Sequence, residues 1–564
     1  MTVLLQHGVM AQSSARPDAV AIVLDDTRIT YGTLDATSNG LAHLLIDAGC
    51  RRGDRIALMM PKSPMAIIAM LGVLKCDATY VPMDPASPPA RLARMLEISD
   101  CRFVLAAGAV EDRLARALAQ AQLREPPTVG WLDECAAASS QPTPGFTLRD
   151  LASYPTTPRV AVNNGQHLAH ILFTSGTTGT PKGVMITHAS VVHLIRWAQQ
   201  RFHIDPADRI SQHSPLRFDV STFDIFGALW SGAELHLVPP HLNLLPHKLA
   251  QFMRDAELTQ WFSVPSVLNL MANFDVVRPG DFPKLRRVLF AGEVLPTPTL
   301  VHWMRRLPHV TFTNLFGPTE TTIVSTHYTV PACPTDEREP IPIGTACDGE
   351  ELLALDDELR PVPDGDIGEL YIRGIGVSPG YWRDTERTCQ SFLPCPGTAD
   401  PGERMYRTGD LVRRTADGIF HFVGRRDSQI KSRGYRIELG DIEAALCSLA
   451  SLRESAVIAL QSGGFEGWQI CCAFVPATDH DATPKRVRLE LAKLLPNYML
   501  PVRWLRYDAL PRNDNGKIDR PLLKSEFLQT ADRATTTRTG RAAAAQPDDP
   551  RMNPINDRVP EPGP

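Results

Sequence analysis

The sequence predicts an α/β fold with largely parallel sheets, and three changes of pattern along the chain predict how it is divided. Strand-like and helix-like segments alternate up to about residue 330, as expected for α/β layers. From about Ile341 to Val423 short β runs (ELLALD, GELYIRG, LVRR, IFHFVG) are separated by Gly, Asp and Pro, which predicts a small antiparallel or barrel-like subdomain. After Gly424 a charged segment leads into a helix, the strands ESAVIAL and QICCAFVP, and a helix from about Thr483 to Leu495. This block of roughly 100 residues is expected to form a separate α+β domain.

Taken in order, residues 20–36 read as two short strands around a turn (AIVLDD, then RITY), followed by an amphipathic helix from about Gly32 to Asp47. A strand at Arg55–Met60 and a helix at Ser63–Lys75 come next, and the Pro-punctuated loop YVPMDPASPP stops that helix before another starts at Ala90. The stretch Ile171–His188, ILFTSGTTGTPKGVMITH, places a loop of Thr, Ser and Gly between two β-prone runs. Its hydroxyls and exposed N–H groups suit a polyanion, and Lys182 adds a point charge. It is not a Walker A loop, because Lys182 follows Pro181 and precedes Gly183. Residues 531–564 hold almost no large apolar groups and are expected to be disordered.

The bulk composition excludes several classes. At 564 residues the chain has room for roughly three or four domain-sized units. The net charge of −5, without a long basic stretch, argues against nucleic-acid binding. Eleven cysteines without CxxC spacing read as reduced thiols with no metal cluster. No apolar run reaches the ~18 residues that span a bilayer, so a cytoplasmic protein without a membrane partner is expected.

Eight separated segments resemble, in order, the adenylate-forming enzymes, and specifically the amino-acid adenylation domains of nonribosomal peptide synthetases. They are YVPMDP (80–85), LFTSGTTGTPKGV (172–184), FDVSTFDIF (218–226), NLFGPTETT (314–322), GELYIRGIGVSPGYW (368–382), YRTGDLVR (406–413), GRRDSQIKSRGYRIELGDIE (424–443) and LPRNDNGKIDR (510–520). The resemblance implies a large N-terminal domain (1–426) of two α/β subdomains plus a small β-barrel subdomain, a small mobile C-terminal domain (427–530), and the tail. It also implies ATP and Mg²⁺, and two half-reactions: formation of aminoacyl-AMP, then transfer to a carrier-protein thiol.

The site residues follow from the same resemblance. Lys517 is the expected charge clamp for adenylation, Glu320 the Mg²⁺ ligand and Thr319 a neighbour of the α-phosphate. Thr174, Ser175, Gly176, Thr177, Thr178 and Lys182 are expected to hold the β- and γ-phosphates. Asp410 would accept the ribose hydroxyls, Arg425 would add a ribose or phosphate contact, and Phe316 would stack on adenine or else sit in the core. Asp427 matches the hinge about which the family's C-terminal domain rotates, one orientation inserting Lys517 and the other bringing in the loop Lys431–Gly434. Asp219 matches the carboxylate that pairs with the substrate ammonium in α-amino-acid enzymes.

The pocket positions carried over with Asp219 are Val220, Phe223, Ser263, Leu289, Ala291, Gly292, Leu315, Ile323 and Val324. They offer bulky apolar groups, one hydroxyl and no second charge, which predicts a small neutral amino acid: alanine first, then proline or serine. An acyl-CoA or aryl-CoA ligase of the same fold is the rival enzyme, and a non-catalytic derivative of the fold is the rival outside enzymes. Asp219 argues against the first; intact Lys182, Glu320, Asp410 and Lys517 argue against the second. With no carrier segment evident after residue 530, a separate carrier protein bearing a phosphopantetheine arm is the expected partner.

Overall fold

The computed structural model describes residues 3–133, 142–175, 180–396, 402–461, 467–478, 483–513 and 517–530. Two large sheets carry the first half of the chain. A seven-stranded sheet runs Phe146–Thr147, Thr128–Trp131, Phe103–Ala106, Arg55–Met59, Thr79–Pro82, Leu168–Thr174, Lys182–Thr187, parallel except for the last pair. A nine-stranded sheet has five parallel junctions at its centre and antiparallel strands at both ends. The alternation read from the sequence is this pair of sheets and their helices.

One apolar cluster reaches from Ile56 and Tyr80 of the first sheet to Ile22, Ile210 and Leu235 of the second. The helix Pro64–Lys75 lies within it, buried from Ala66 to Lys75, and the Lys75 ammonium at its end pairs with Asp35 at 2.6 Å. The helix Leu5–Ala15, not anticipated from the sequence, packs there too. Its apolar residues are few, but Leu5 and Val9 are fully buried, and Gly8 allows the Trp230 ring to approach where a Cβ would meet it at 2.2 Å.

The β runs of the third region form an antiparallel sheet in which the strand Arg404–Arg414 pairs with Ile367–Gly374, Phe392–Pro394 and Phe420–Arg425. Beyond it the hairpin Gln429–Ser432/Tyr435–Glu438 precedes the helix Leu439–Cys447. A three-stranded sheet of Leu452–Gln461, Trp468–Pro476 and Arg503–Arg506 follows. The predicted helix over Thr483–Leu495 is shorter, Pro484–Leu491, because the chain turns at Ala492 to bring Leu495 into the same apolar cluster as Ile437 and Phe474. A further helix, 520–530, buries Leu523 and Phe527 against the other face of the sheet. No helix among the described residues is long and apolar enough to cross a membrane.

Candidate active site

A cleft lies where the three regions meet, at the carboxyl ends of parallel strands of the nine-stranded sheet, the usual position of a ligand site in α/β folds. From the N-terminal part it is lined by Thr174, Ser175, Arg217, Asp219, Gly292 and Thr319, from the antiparallel sheet by Asp410 and Arg425, and from the C-terminal hairpin by Lys431, Tyr435 and Arg436. Its open volume of 140 Å³ is below the roughly 300–1,000 Å³ common for small-molecule sites, because the hairpin reaches into it.

Asp219 caps the helix Val220–Ser231, accepting from the Val220 N–H at 2.8 Å, and its other oxygen accepts from the Thr319 hydroxyl at 2.7 Å. Two residues 100 positions apart, expected to serve the amino acid and the α-phosphate respectively, are thus directly bonded. Burial pushes the Asp219 carboxyl up, offset in part by the bonds from Thr319 and Val220. The turn that carries Thr319 and Glu320 is strained: Thr322 and Ile323 have φ of 58° and 76°, rare for β-branched side chains. Gly317 is required there, since a Cβ would lie 2.6 Å from the Ile323 carbonyl oxygen. The Thr322 hydroxyl fixes the turn by donating to the Gly376 carbonyl at 2.7 Å.

Glu320 is completely buried, yet it is surrounded by cations and a phenol. Its carboxylate accepts from Arg436 Nη1 at 2.9 and 2.7 Å and from the Tyr381 hydroxyl at 2.8 Å, with Lys182 Nζ at 3.7 Å. Burial alone would raise its pKa, but Arg436 and Lys182 outweigh that and lower it to about 2. Lys182, at the start of its strand, is itself lowered to about 8, by burial and by the neighbouring Arg436. Ser175 donates to the Arg436 carbonyl at 2.7 Å, and the buried Thr174 hydroxyl has no partner among the described residues. Gly176, Thr177 and Thr178 lie outside the described residues.

Asp410 and Arg425 face each other across the ladder of the antiparallel sheet, and Arg425 donates to Asp410 and, through Nε and Nη2, to both oxygens of Asp427 at 2.7 Å. The expected ribose contact and the expected hinge are therefore linked through one guanidinium. Phe316 is buried in the apolar cluster of that sheet, with the Lys431 ammonium 5.0 Å from its ring centroid.

Phe223, Leu289, Ala291, Leu315, Ile323 and Val324 fall in one apolar cluster with Phe262, and Val220 packs against it. Ala291 and Leu315 are register neighbours on adjacent strands, and Phe223 meets Phe262 edge to face at 5.2 Å. Ser263, the one hydroxyl of the set, is buried and committed: it accepts from Trp261 Nε1 at 2.9 Å and donates to the Val264 carbonyl at 3.3 Å. Of the carried-over pocket positions only Asp219 and Gly292 line the open cleft.

Lys517 is exposed and is not among the described residues lining the cleft; its N–H donates to the Asn513 side chain at 3.0 Å and its carbonyl accepts from the Asn513 N–H at 2.8 Å. Three contributors were not singled out from the sequence. Arg436 and Tyr381 sit within quoted motifs, GYRIE and SPGYW, and an Arg in a buried-strand pattern was the available signal. Glu293 carries none: its carboxylate accepts from the Gly434 N–H at 2.9 Å and the Ser266 N–H at 3.1 Å, an arrangement set by tertiary structure.

A family model described as AMP-binding enzyme matches residues 9–382, and the chain belongs to that family: it is an adenylate-forming ligase, in the group that contains the adenylation domains of nonribosomal peptide synthetases. Tyrocidine synthase 3 of Brevibacillus parabrevis is 33% identical over 512 residues, which is 91% of this chain and 7% of that protein. The chain spans 6–14% of the length of the curated relatives it matches. Among solved structures, the Vibrio cholerae adenylation domain AlmE in complex with glycyl-adenosine-5'-phosphate superposes with a TM-score of 0.81 at 25% identity, covering 93% of this chain and 98% of that one. Holo-PA1221, a protein containing adenylation and PCP domains bound to a vinylsulfonamide inhibitor, gives 0.74 at 26% identity, covering 93% and 84%.

Proposed function

We propose that the chain activates a small neutral α-amino acid, alanine favoured, to aminoacyl-AMP with ATP and passes the aminoacyl group to the phosphopantetheine thiol of a carrier protein. The observation that carries this reading is the Asp219–Thr319 pair beside Glu320: an anchor for an ammonium next to a site of phosphate chemistry. The glycyl adenylate of the Vibrio cholerae domain and the PCP domain of PA1221 support it by analogy.

The substrate carboxylate is ionised at neutral pH and needs no general base to attack the α-phosphorus, displacing pyrophosphate. Rate then depends on positioning and on neutralising the phosphoryl oxygens. Asp219 accepts from the substrate ammonium, with Thr319 fixing its orientation. Glu320 has the oxygen-only, ionised character that Mg²⁺ takes, and one carboxylate with phosphate oxygens is a sufficient donor set; the metal would supply charge neutralisation there. Lys517 supplies the remaining charge when its turn enters the cleft. In the second step the carrier thiolate attacks the acyl carbon and AMP leaves. The apolar closure around Phe223, Leu289 and Leu315 favours a short side chain, and the commitment of Ser263 to Trp261 and Val264 ranks serine below alanine.

ATP–pyrophosphate exchange measured with each of the twenty amino acids, without coenzyme A, tests the reading. Exchange is expected with alanine and its small neighbours. Exchange only with large aromatic or charged acids would overturn the pocket assignment, and activity confined to amine-free acids with coenzyme A would overturn the amino-acid class.

A further inference from the structure

Lys62 follows the strand Arg55–Met59 of the seven-stranded sheet, one residue before Ser63 caps the helix Pro64–Lys75. Its ammonium crosses to the other large sheet. Nζ donates to the carbonyls of Gln212 at 2.9 Å, His213 at 2.7 Å and Val238 at 3.0 Å, where the adjacent parallel strands Arg209–Gln212 and Glu234–Leu237 end. Three donors meet three acceptors, the full complement of a charged lysine. The counter-charge is Asp224, wholly buried on the helix Val220–Ser231, whose two oxygens accept no hydrogen bond among the described residues. Burial pushes the Asp224 carboxyl up, and Lys62 opposes that. Lys62 thus acts on both sides of Asp219: on the carbonyls where the loop 213–218 begins, and on the helix that Asp219 caps.

We infer that Lys62 is a positioning residue for Asp219, a staple from the other sheet that sets where this carboxylate stands in the cleft. This rests on the reading of Asp219 as the anchor for the substrate ammonium. Between His213 and Asp219 the chain is folded on itself. The Phe218 N–H donates to the Pro215 carbonyl at 2.9 Å, and the Ser221 hydroxyl donates to the Phe218 carbonyl at 2.7 Å. A shift at His213 is therefore carried to Asp219 rather than absorbed on the way. The same strand end governs a pocket wall, since the His213 ring lies 5.2 Å from Trp261, whose Nε1 donates to Ser263. Lys182 and Glu320 hang from other elements, the strand Lys182–Thr187 and the turn Thr319–Thr321. The signature of losing the staple is weakened amino-acid binding with ATP binding kept.

Steady-state ATP–pyrophosphate exchange on the full chain, varying ATP and the best amino acid of the exchange panel in turn, tests this. Lys62→Met is expected to raise the KM for the amino acid about tenfold or more, with the KM for ATP within about twofold of the parent's. Lys62→Met alone strands the buried Asp224 charge and is expected to lower Tm. The double variant Lys62→Met/Asp224→Leu removes both charges, so its Tm is expected to return towards the parent's while the amino-acid KM stays raised. A parental amino-acid KM in the double variant, or a KM for ATP raised as much as that for the amino acid, would overturn the inference alone, provided Asp219→Asn raises the amino-acid KM in the same assay. A parental amino-acid KM in Asp219→Asn would overturn the reading of Asp219, and the inference with it.

Discussion

The hairpin Gln429–Glu438 and the turn around Lys517 belong to the same C-terminal region, yet their settings are opposite. The hairpin carries its cations into the cleft, where Arg436 meets the buried Glu320 and Lys431 lies over Phe316. Lys517 is exposed, and its backbone is bonded to Asn513. A buried guanidinium with a buried carboxylate is held in place, because separating them strands a charge. An exposed ammonium is free to move. The region therefore has one cationic surface in the cleft, at Lys431 and Arg436, and another, at Lys517, outside it.

The largest effect is expected at Lys517, on the face that stands outside. Lys517→Ala is expected to lower ATP–pyrophosphate exchange by about 10²–10³, the scale of one lost electrostatic clamp (~3–4 kcal/mol), while transfer from supplied aminoacyl-AMP changes little. Lys182→Ala should cost less in the same assay, since Lys182 already shares Glu320 with Arg436. Near-parental exchange in Lys517→Ala would remove that residue from the mechanism, and the second face with it.

Asp219 belongs to neither face, and its loss should affect the amino acid alone. Asp219→Asn is expected to lower kcat/KM for the amino acid roughly 10–100-fold, the worth of one charge-assisted bond, with the KM for ATP little changed. Steady-state exchange kinetics in both substrates separates these.

Glu350 gives the smallest effect and is the control for Glu320. It is only half-buried, accepts from the Gly376 N–H at 2.7 Å with no cation paired to it among the described residues, and desolvation raises it to about 8. The folded state therefore keeps a proton between pH 4.5 and 8 that the unfolded chain has lost, so stability from this group falls as pH rises through that window. Glu350→Gln should remove the dependence and raise Tm by roughly 2 °C at pH 8.5, with no gain at pH 4. Parallel melting curves for the two proteins across that range would contradict it.

Much of the fold was legible because local patterns carried it. The strand and helix alternation to residue 330 and the Pro- and Gly-punctuated β runs after Ile341 are local signals, and the sheets formed from them. The helix Leu5–Ala15 was not, because its place is decided by Trp230, whose indole N–H donates to the Leu5 carbonyl at 2.7 Å from 225 residues away. In the site, Asp219, Thr319, Glu320, Asp410 and Arg425 could be named from motif segments and meet in or beside one cleft. What no motif encodes is the occupancy of that cleft. That Arg436 rather than Lys517 faces Glu320 depends on the orientation of a whole region, and Glu293 acts through backbone amides that leave no trace in side-chain identity.

If one cleft serves two faces of the C-terminal region in turn, the pivot falls at Asp427, clasped by Arg425. Proline at that position fixes φ where φ must change, so single-turnover measurement of both half-reactions in Asp427→Pro is decisive. Aminoacyl-AMP formation and thioester formation are expected to separate, one retained near the parental rate and the other lost. Equal loss of both in a folded protein would contradict the alternation.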